Sequence, residues 1–285
     1  LSTFLNPIEY PDATDSNPAW HEGDAAGLRY RIDSGKGGAG ARTIVLIHEL
    51  GGSIESWDGA TAGLDPAARV IRYDQRGQGR SALPHRPYSV ADHVDDLRDL
   101  LDALATDEPL WLVAAAAGAA IAVTFAARYA SRVEGLVLCA PALDVDPQRR
   151  HYLLERAERA RTEGMHAIVD GTLANSWPVV LRSDMHAFDR YRERFIAQQA
   201  NGYAQASEAL SEIDLSSALA SLACPCLFLA GEFDVQRPPQ RVAAQAKQVH
   251  GADFATVPQA GHLMAVQQPA EVAARIDRFI KENSR

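Results

Sequence analysis

Two side chains late in the sequence have the types and the spacing for proton transfer. Asp234 stands three residues after Gly231, where the apolar run from Leu227 ends, and His262 follows Pro258–Gln259–Ala260–Gly261 behind the next run, Phe254–Val257. Each therefore sits in a turn just past a strand-like segment. An imidazole titrates near neutral pH, and a carboxylate beside it holds one tautomer and stabilises the charged ring. Taken singly, the two read as a solvated turn acid and a capping histidine; their joint placement favours an acid–base pair. A third segment runs from an apolar strand beginning at Leu110 through Ala114–Ala115–Ala116–Ala117–Gly118 into a helix. Such small side chains let a backbone turn tightly while neighbouring chains crowd it. Ala116, at the middle of that turn, carries no nucleophilic atom.

These segments need a scaffold that brings distant turns together. The chain has 285 residues, 47% hydrophobic and 23% charged, a length and composition that suit a single large globular α/β domain. From Arg42 onward, short β-branched runs alternate with helical stretches, predicting a mostly parallel sheet with helices on both faces. Strands are expected at Thr43–His48, Arg69–Tyr73, Leu110–Val113, Gly135–Cys139, Cys226–Ala230 and Phe254–Val257. Helices are expected over Val90–Ala105, Gly118–Ala130 and Ala270–Lys281; in the first, Val90, Val94, Leu97, Leu101 and Leu104 recur at three- and four-residue intervals. Trp20–Ile32 reads as two short strands around a turn, and 34–41 as a glycine-rich loop without the Gly-Lys-Ser/Thr of a phosphate cradle. The opening stretch, 1–19, holds Pro7, Pro11 and Pro18 and reads as a surface arm. Only residues 146–211 break the alternation, with helix-like patterns rich in Arg, Glu and Ala. They read as a helical cap inserted into a core made of 1–145 and 212–285. Ligands bind beyond the carboxyl ends of such strands, so the cap should shape the pocket.

A formal net charge of −9 leaves no electrostatic footprint for nucleic acid. No run approaches the roughly 18 apolar residues of a membrane span, and Leu1–Asn17 lacks the features of a signal peptide. A soluble, cytoplasmic protein is expected. The chain has three cysteines; Cys224 and Cys226 flank Pro225 with no second Cys or His pair nearby, so they read as buried thiols and no metal site is expected. No organic cofactor is implied. The expected partner is a small-molecule substrate, and a homo-oligomer is compatible with the sequence.

Position by position, the 114–118 turn resembles the Gly-x-Ser-x-Gly nucleophile elbow of α/β-hydrolases, with Ala116 where the serine belongs. The elbow, Asp234 and His262 also follow that family's chain order. Ile47–His48–Glu49–Leu50–Gly51–Gly52 resembles its oxyanion loop, which implies that the amides of Leu50 and Ala117 converge on a developing oxyanion. Glu49 replaces the usual glycine; a structural ion pair or a substrate contact would both explain it. Tyr73–Asp74–Gln75–Arg76–Gly77–Gln78–Gly79–Arg80–Ser81 matches the family's Asp-x-Arg-Gly-x-Gly-x-Ser turn, which implies an architectural role. Asp144, just past the fourth core strand, is a rival for the acid. Within the cap, Arg159–Met165, Trp177–Pro178, Ala200–Tyr203 and Ala209–Leu210 resemble 3-oxoadipate enol-lactonases. That likeness implies a small polar substrate, often carboxylated, and offers Glu49, Trp177, Tyr203 and His151 as pocket candidates.

The resemblance implies hydrolysis of an ester, lactone, amide or activated C–C bond through a Ser-His-Asp triad. With alanine in place of the nucleophile, three readings arise. A serine-to-alanine change would turn a hydrolase into a substrate trap. A native enzyme could use the His262–Asp234 dyad alone as the base of a lyase or cofactor-free oxygenase. A noncatalytic binding protein ranks last, because an unused site need not keep His262 and Asp234.

Overall fold

The computed structural model describes residues 20–33 and 41–284. The expected arm and all but Ala41 of the expected glycine-rich loop lie outside them. The fold is that of the α/β-hydrolases: an eight-stranded, mostly parallel sheet with helices on both faces. β1 (Trp20–Ala25) and β2 (Leu28–Asp33) form an antiparallel hairpin whose turn, Ala26–Gly27, has positive φ at both residues, as a two-residue type I′ connection requires. The parallel strands are β3 (Thr43–Ile47), β4 (Arg69–Tyr73), β5 (Leu110–Ala115), β6 (Val133–Cys139), β7 (Cys226–Gly231) and β8 (Asp253–Val257). Their order across the sheet is β1-β2-β4-β3-β5-β6-β7-β8.

Alternation along the central strands divides the core. Val45, Ile47, Leu112, Ala114, Leu136, Leu138 and Phe228 face one side with α1 (Val90–Ala103) and α2 (Gly118–Arg128), while Ile44, Leu46, Trp111, Val113, Val137 and Leu229 face the other. Expected boundaries shift by a few residues: α1 ends early because Leu104 and Ala105, with φ +48° at Ala105, turn the chain off the helix axis. Four longer helices occupy the stretch between β6 and β7: α3 (Pro147–Glu163), α4 (His166–Ser176), α5 (Met185–Ile196) and α6 (Ala200–Leu210). Beyond them come α7 (Pro239–Ala246) and α8 (Pro269–Asn283), the latter closing the second face of the sheet with Val272, Ile276, Phe279 and Ile280. Leu173, Trp177, Phe188, Tyr191, Phe195 and Tyr203 form a separate apolar cluster in the helical stretch, joined by Leu50 and Leu263 from loops of the sheet. Among the described residues no helix is long and apolar enough to cross a membrane.

Candidate active site

Parallel order brings the loops after β3, β5, β7 and β8 to one edge of the sheet. β3 and β5 are direct neighbours, Ile47 opposite Ala114, so the loop at 48–52 and the turn at 115–118 leave the sheet side by side. A Cβ on Gly118 would lie 2.6 Å from the His48 carbonyl oxygen and 2.8 Å from that of Ile47, which excludes any larger residue. Ala116 has φ +46°, a left-handed conformation that costs a residue with a Cβ about 1–2 kcal/mol. Hydrogen bonds hold it there: its N–H donates to Cys139 O (2.9 Å), and its carbonyl accepts from Ala142 N (3.0 Å) and Ala119 N (3.1 Å).

Leu50 and Ala117, both partly buried, meet in one small apolar cluster with Ala120, Ala142 and Leu210. Neither amide N–H has an acceptor among the described residues. The loop carrying Leu50 is pinned from the 73–81 turn. Gln75 N donates to His48 Nε2 (3.0 Å), which leaves the proton on Nδ1 to donate to Glu49 O (2.7 Å). Gln75 Nε2 donates to His48 O (2.5 Å), and Gly51 N donates to Gln78 Oε1 (2.6 Å). The turn itself is organised by Asp74, whose carboxylate accepts from Ile54 N and Arg80 N at 2.8 Å each and from Arg29 Nη1 at 3.2 Å. Gln75 and Gln78 fill unspecified positions of the motif, so no sequence signal marks them.

His262 Nδ1 lies 2.9 Å from Asp234 Oδ2. A carboxylate only accepts, so Nδ1 carries the proton and Nε2 presents its lone pair. The other oxygen, Oδ1, accepts from Gln236 N (2.8 Å) and Arg237 N (3.0 Å). Burial pushes the Asp234 carboxyl upward, but the His262 imidazole and the two amides outweigh it and hold the group below its ordinary value. The two loops touch at backbone level: a Cβ on Gly231 would lie 2.2 Å from Gly261 O. Asp144 is engaged elsewhere, by Arg237 at 3.1 Å and by Arg241, so the acid bound to the imidazole is Asp234.

The other pocket candidates fare unevenly. Trp177 packs edge-on against Phe188 and Tyr191 and donates its indole N–H to Leu181 O (3.0 Å), so it belongs to the core of the helical stretch. His151 is on the exposed side of α3, whose buried side holds Leu153, Arg156, Ala157 and Ala160. Glu49 is buried without a basic partner among the described residues; its Oε1 accepts from Ser56 Oγ (2.8 Å) and from Tyr191 OH on α5 (2.7 Å), which ties the loop to the helical stretch. Burial first, and then Glu49, push the Tyr191 phenol well above its usual value and keep it a neutral donor. Tyr203 is fully buried against Phe195 and Gly51. Cys139 and Cys226 are buried, Cys224 only partly.

Comparison with known proteins bears on the family and the fold. A sequence family described as serine aminopeptidase, S33, matches residues 40–267. A relative from Caulobacter sp. (strain K31), named "Putative carbamate hydrolase RutD", is 27% identical over 265 residues, covering 90% of this chain and 97% of its own. The enol-lactonase from Burkholderia xenovorans LB400 superposes with a TM-score of 0.85 at 28% identity, over 92% of this chain and all of its own. A thermophilic esterase from Thermogutta terrifontis, solved with malate bound, gives a TM-score of 0.85 at 25% identity, over 93% of this chain and all of its own.

Proposed function

This chain belongs to the serine aminopeptidase S33 family of hydrolases, and we propose that its site is built to cleave the acyl bond of a small ester, lactone, amide or carbamate. The names carried by the carbamate hydrolase, enol-lactonase and esterase relatives support that range. In the full reaction a serine hydroxyl at position 116 attacks the carbonyl carbon while His262 Nε2 takes its proton. Asp234 braces the ring and stabilises the imidazolium, and the amides of Leu50 and Ala117 hold the oxyanion. His262 then returns the proton to the leaving group, and water repeats the sequence to release the acid.

With Ala116 the acyl-enzyme cannot form. The chain keeps binding, the base and the oxyanion donors, and lacks a step whose loss costs on the order of 10⁶ in turnover. The observation that carries the reading is the pairing of partly buried His262 with buried Asp234, with Nδ1 on the carboxylate and Nε2 without a partner among the described residues.

The test is Ala116→Ser. It should bring hydrolysis of 4-nitrophenyl butyrate and covalent labelling by a fluorophosphonate, both absent from the unmodified chain. A second reading, the dyad as sole base of a lyase or oxygenase, is favoured by the completeness of that pair around an alanine. It predicts turnover by the unmodified chain that His262→Ala abolishes. A chain that binds a ligand tightly while neither variant converts it would be the noncatalytic member.

A further inference from the structure

We propose that Arg149 and Arg156 on α3 form a receptor for a carboxylate on the substrate, so that the site takes anionic acyl compounds. The inference rests on the hydrolase reading above for where the substrate lies. The two residues are seven apart, two helical turns, and so share one side of α3 with Tyr152 between them.

Arg156 is only 8% exposed. Its Nη1 donates to Tyr152 OH (3.2 Å), and its guanidinium lies over the rings of Tyr152 (5.0 Å) and Tyr203 (5.4 Å). Among the described residues its Nε is buried with no partner, and so is the hydroxyl of Tyr203. Among the described residues neither arginine has a carboxylate within 4.0 Å; the nearby acids are taken, Asp144 and Asp146 by Arg237 and Arg241 and Asp234 by His262. Burial pushes the Arg156 guanidinium down from its usual value, but a guanidinium starts so high that it stays charged.

A buried charge with unused donors is a costly arrangement that aromatic faces only partly offset. A carboxylate closes it. It accepts at about four lone-pair positions, enough for Arg156 Nε, Tyr203 OH and the Arg149 guanidinium together. The placement suits one small molecule. Tyr203 borders the loop of Leu50, since a Cβ on Gly51 would lie 3.1 Å from its ring edge. Arg149 Nη2 donates to Gln236 Oε1 (2.9 Å), and Gln236 N donates to Asp234. The two arginines thus span from the oxyanion loop to the acid's loop, while Glu49 nearby is occupied by Ser56 and Tyr191.

The experiment compares mono-4-nitrophenyl succinate with neutral 4-nitrophenyl butyrate in the Ala116→Ser chain, and titrates succinate into the unmodified chain by calorimetry. The anionic ester should be preferred. Arg156→Gln and Arg149→Gln should each lower the anionic-to-neutral ratio of kcat/KM by about ten- to hundredfold, mostly through KM, as loss of a charged hydrogen bond does. Succinate heat should vanish in both variants. If buried Arg156→Gln does not fold, the half-buried Arg149→Gln decides alone. Equal use of both esters, unaltered by Arg149→Gln, overturns the receptor and leaves the hydrolase reading intact. Arginine-dependent succinate binding without hydrolysis of either ester by Ala116→Ser does the reverse.

Discussion

Buried charge is treated in opposite ways at the carboxyl edge of the sheet and in the helices between β6 and β7. At the sheet edge, Asp74 and Asp234 are each closed by two backbone amides and a basic side chain. In the helices, Arg156 and Tyr203 are buried with donors that find no partner among the described residues. A polar group closed on its own protein fixes geometry, whereas one left open costs stability until something else closes it. The edge is thus built as a rigid frame and the helical stretch as the part that waits for a ligand.

The most damaging way to break the frame is at Asp234. In the Ala116→Ser background, Asp234→Asn should lower kcat by about 10⁴, because an amide no longer enforces the working tautomer; steady-state kinetics on a neutral ester decides it. The same substitution in the unmodified chain should cost stability in a pH-dependent way. The folded carboxyl lies below its ordinary value of about 4, so the pair's contribution is full above that pH and is lost as pH falls through the folded value. Denaturation curves of parent and variant should therefore converge on acidification.

Next in size, Asp74→Ala should destabilise by about 2–4 kcal/mol by leaving the amides of Ile54 and Arg80 unpaired, while Arg29 keeps Glu22 and Glu55. Arg156→Met should instead leave stability unchanged or raise it by about 1 kcal/mol or more. Urea midpoints showing the same loss for both would erase the contrast between the two regions. Smallest is Ala116→Gly, which relieves the left-handed strain and should stabilise by about 1 kcal/mol; a loss there would mean that the methyl packs more than the backbone suffers.

The sheet and its turns were readable because their signals are local. Short apolar runs mark β3 to β7, and the four alanines before Gly118 mark a turn that only small residues fill. Asp234 and His262 stand out in the sequence because each follows a strand directly. The helical stretch offers no such local signal. α3 is rich in Arg and Glu on every side, so its pattern does not reveal that Arg156 is buried and His151 exposed. Trp177 looks the same in sequence whether it lines a pocket or packs on Phe188. The face a helix buries is chosen by its partners, and here those are α5, α6 and a loop far away in the chain.

By itself the amino-acid order determined the fold class, the tight turn, the missing hydroxyl at 116 and the short set of acids and bases within reach. Only the tertiary structure decided that His262 pairs with Asp234 while Asp144 goes to two arginines, and that Arg156 ends up enclosed without an acid among the described residues. Those outcomes depend on which loops the strand order sets side by side, and burial and pairing are properties of neighbours that no local pattern encodes.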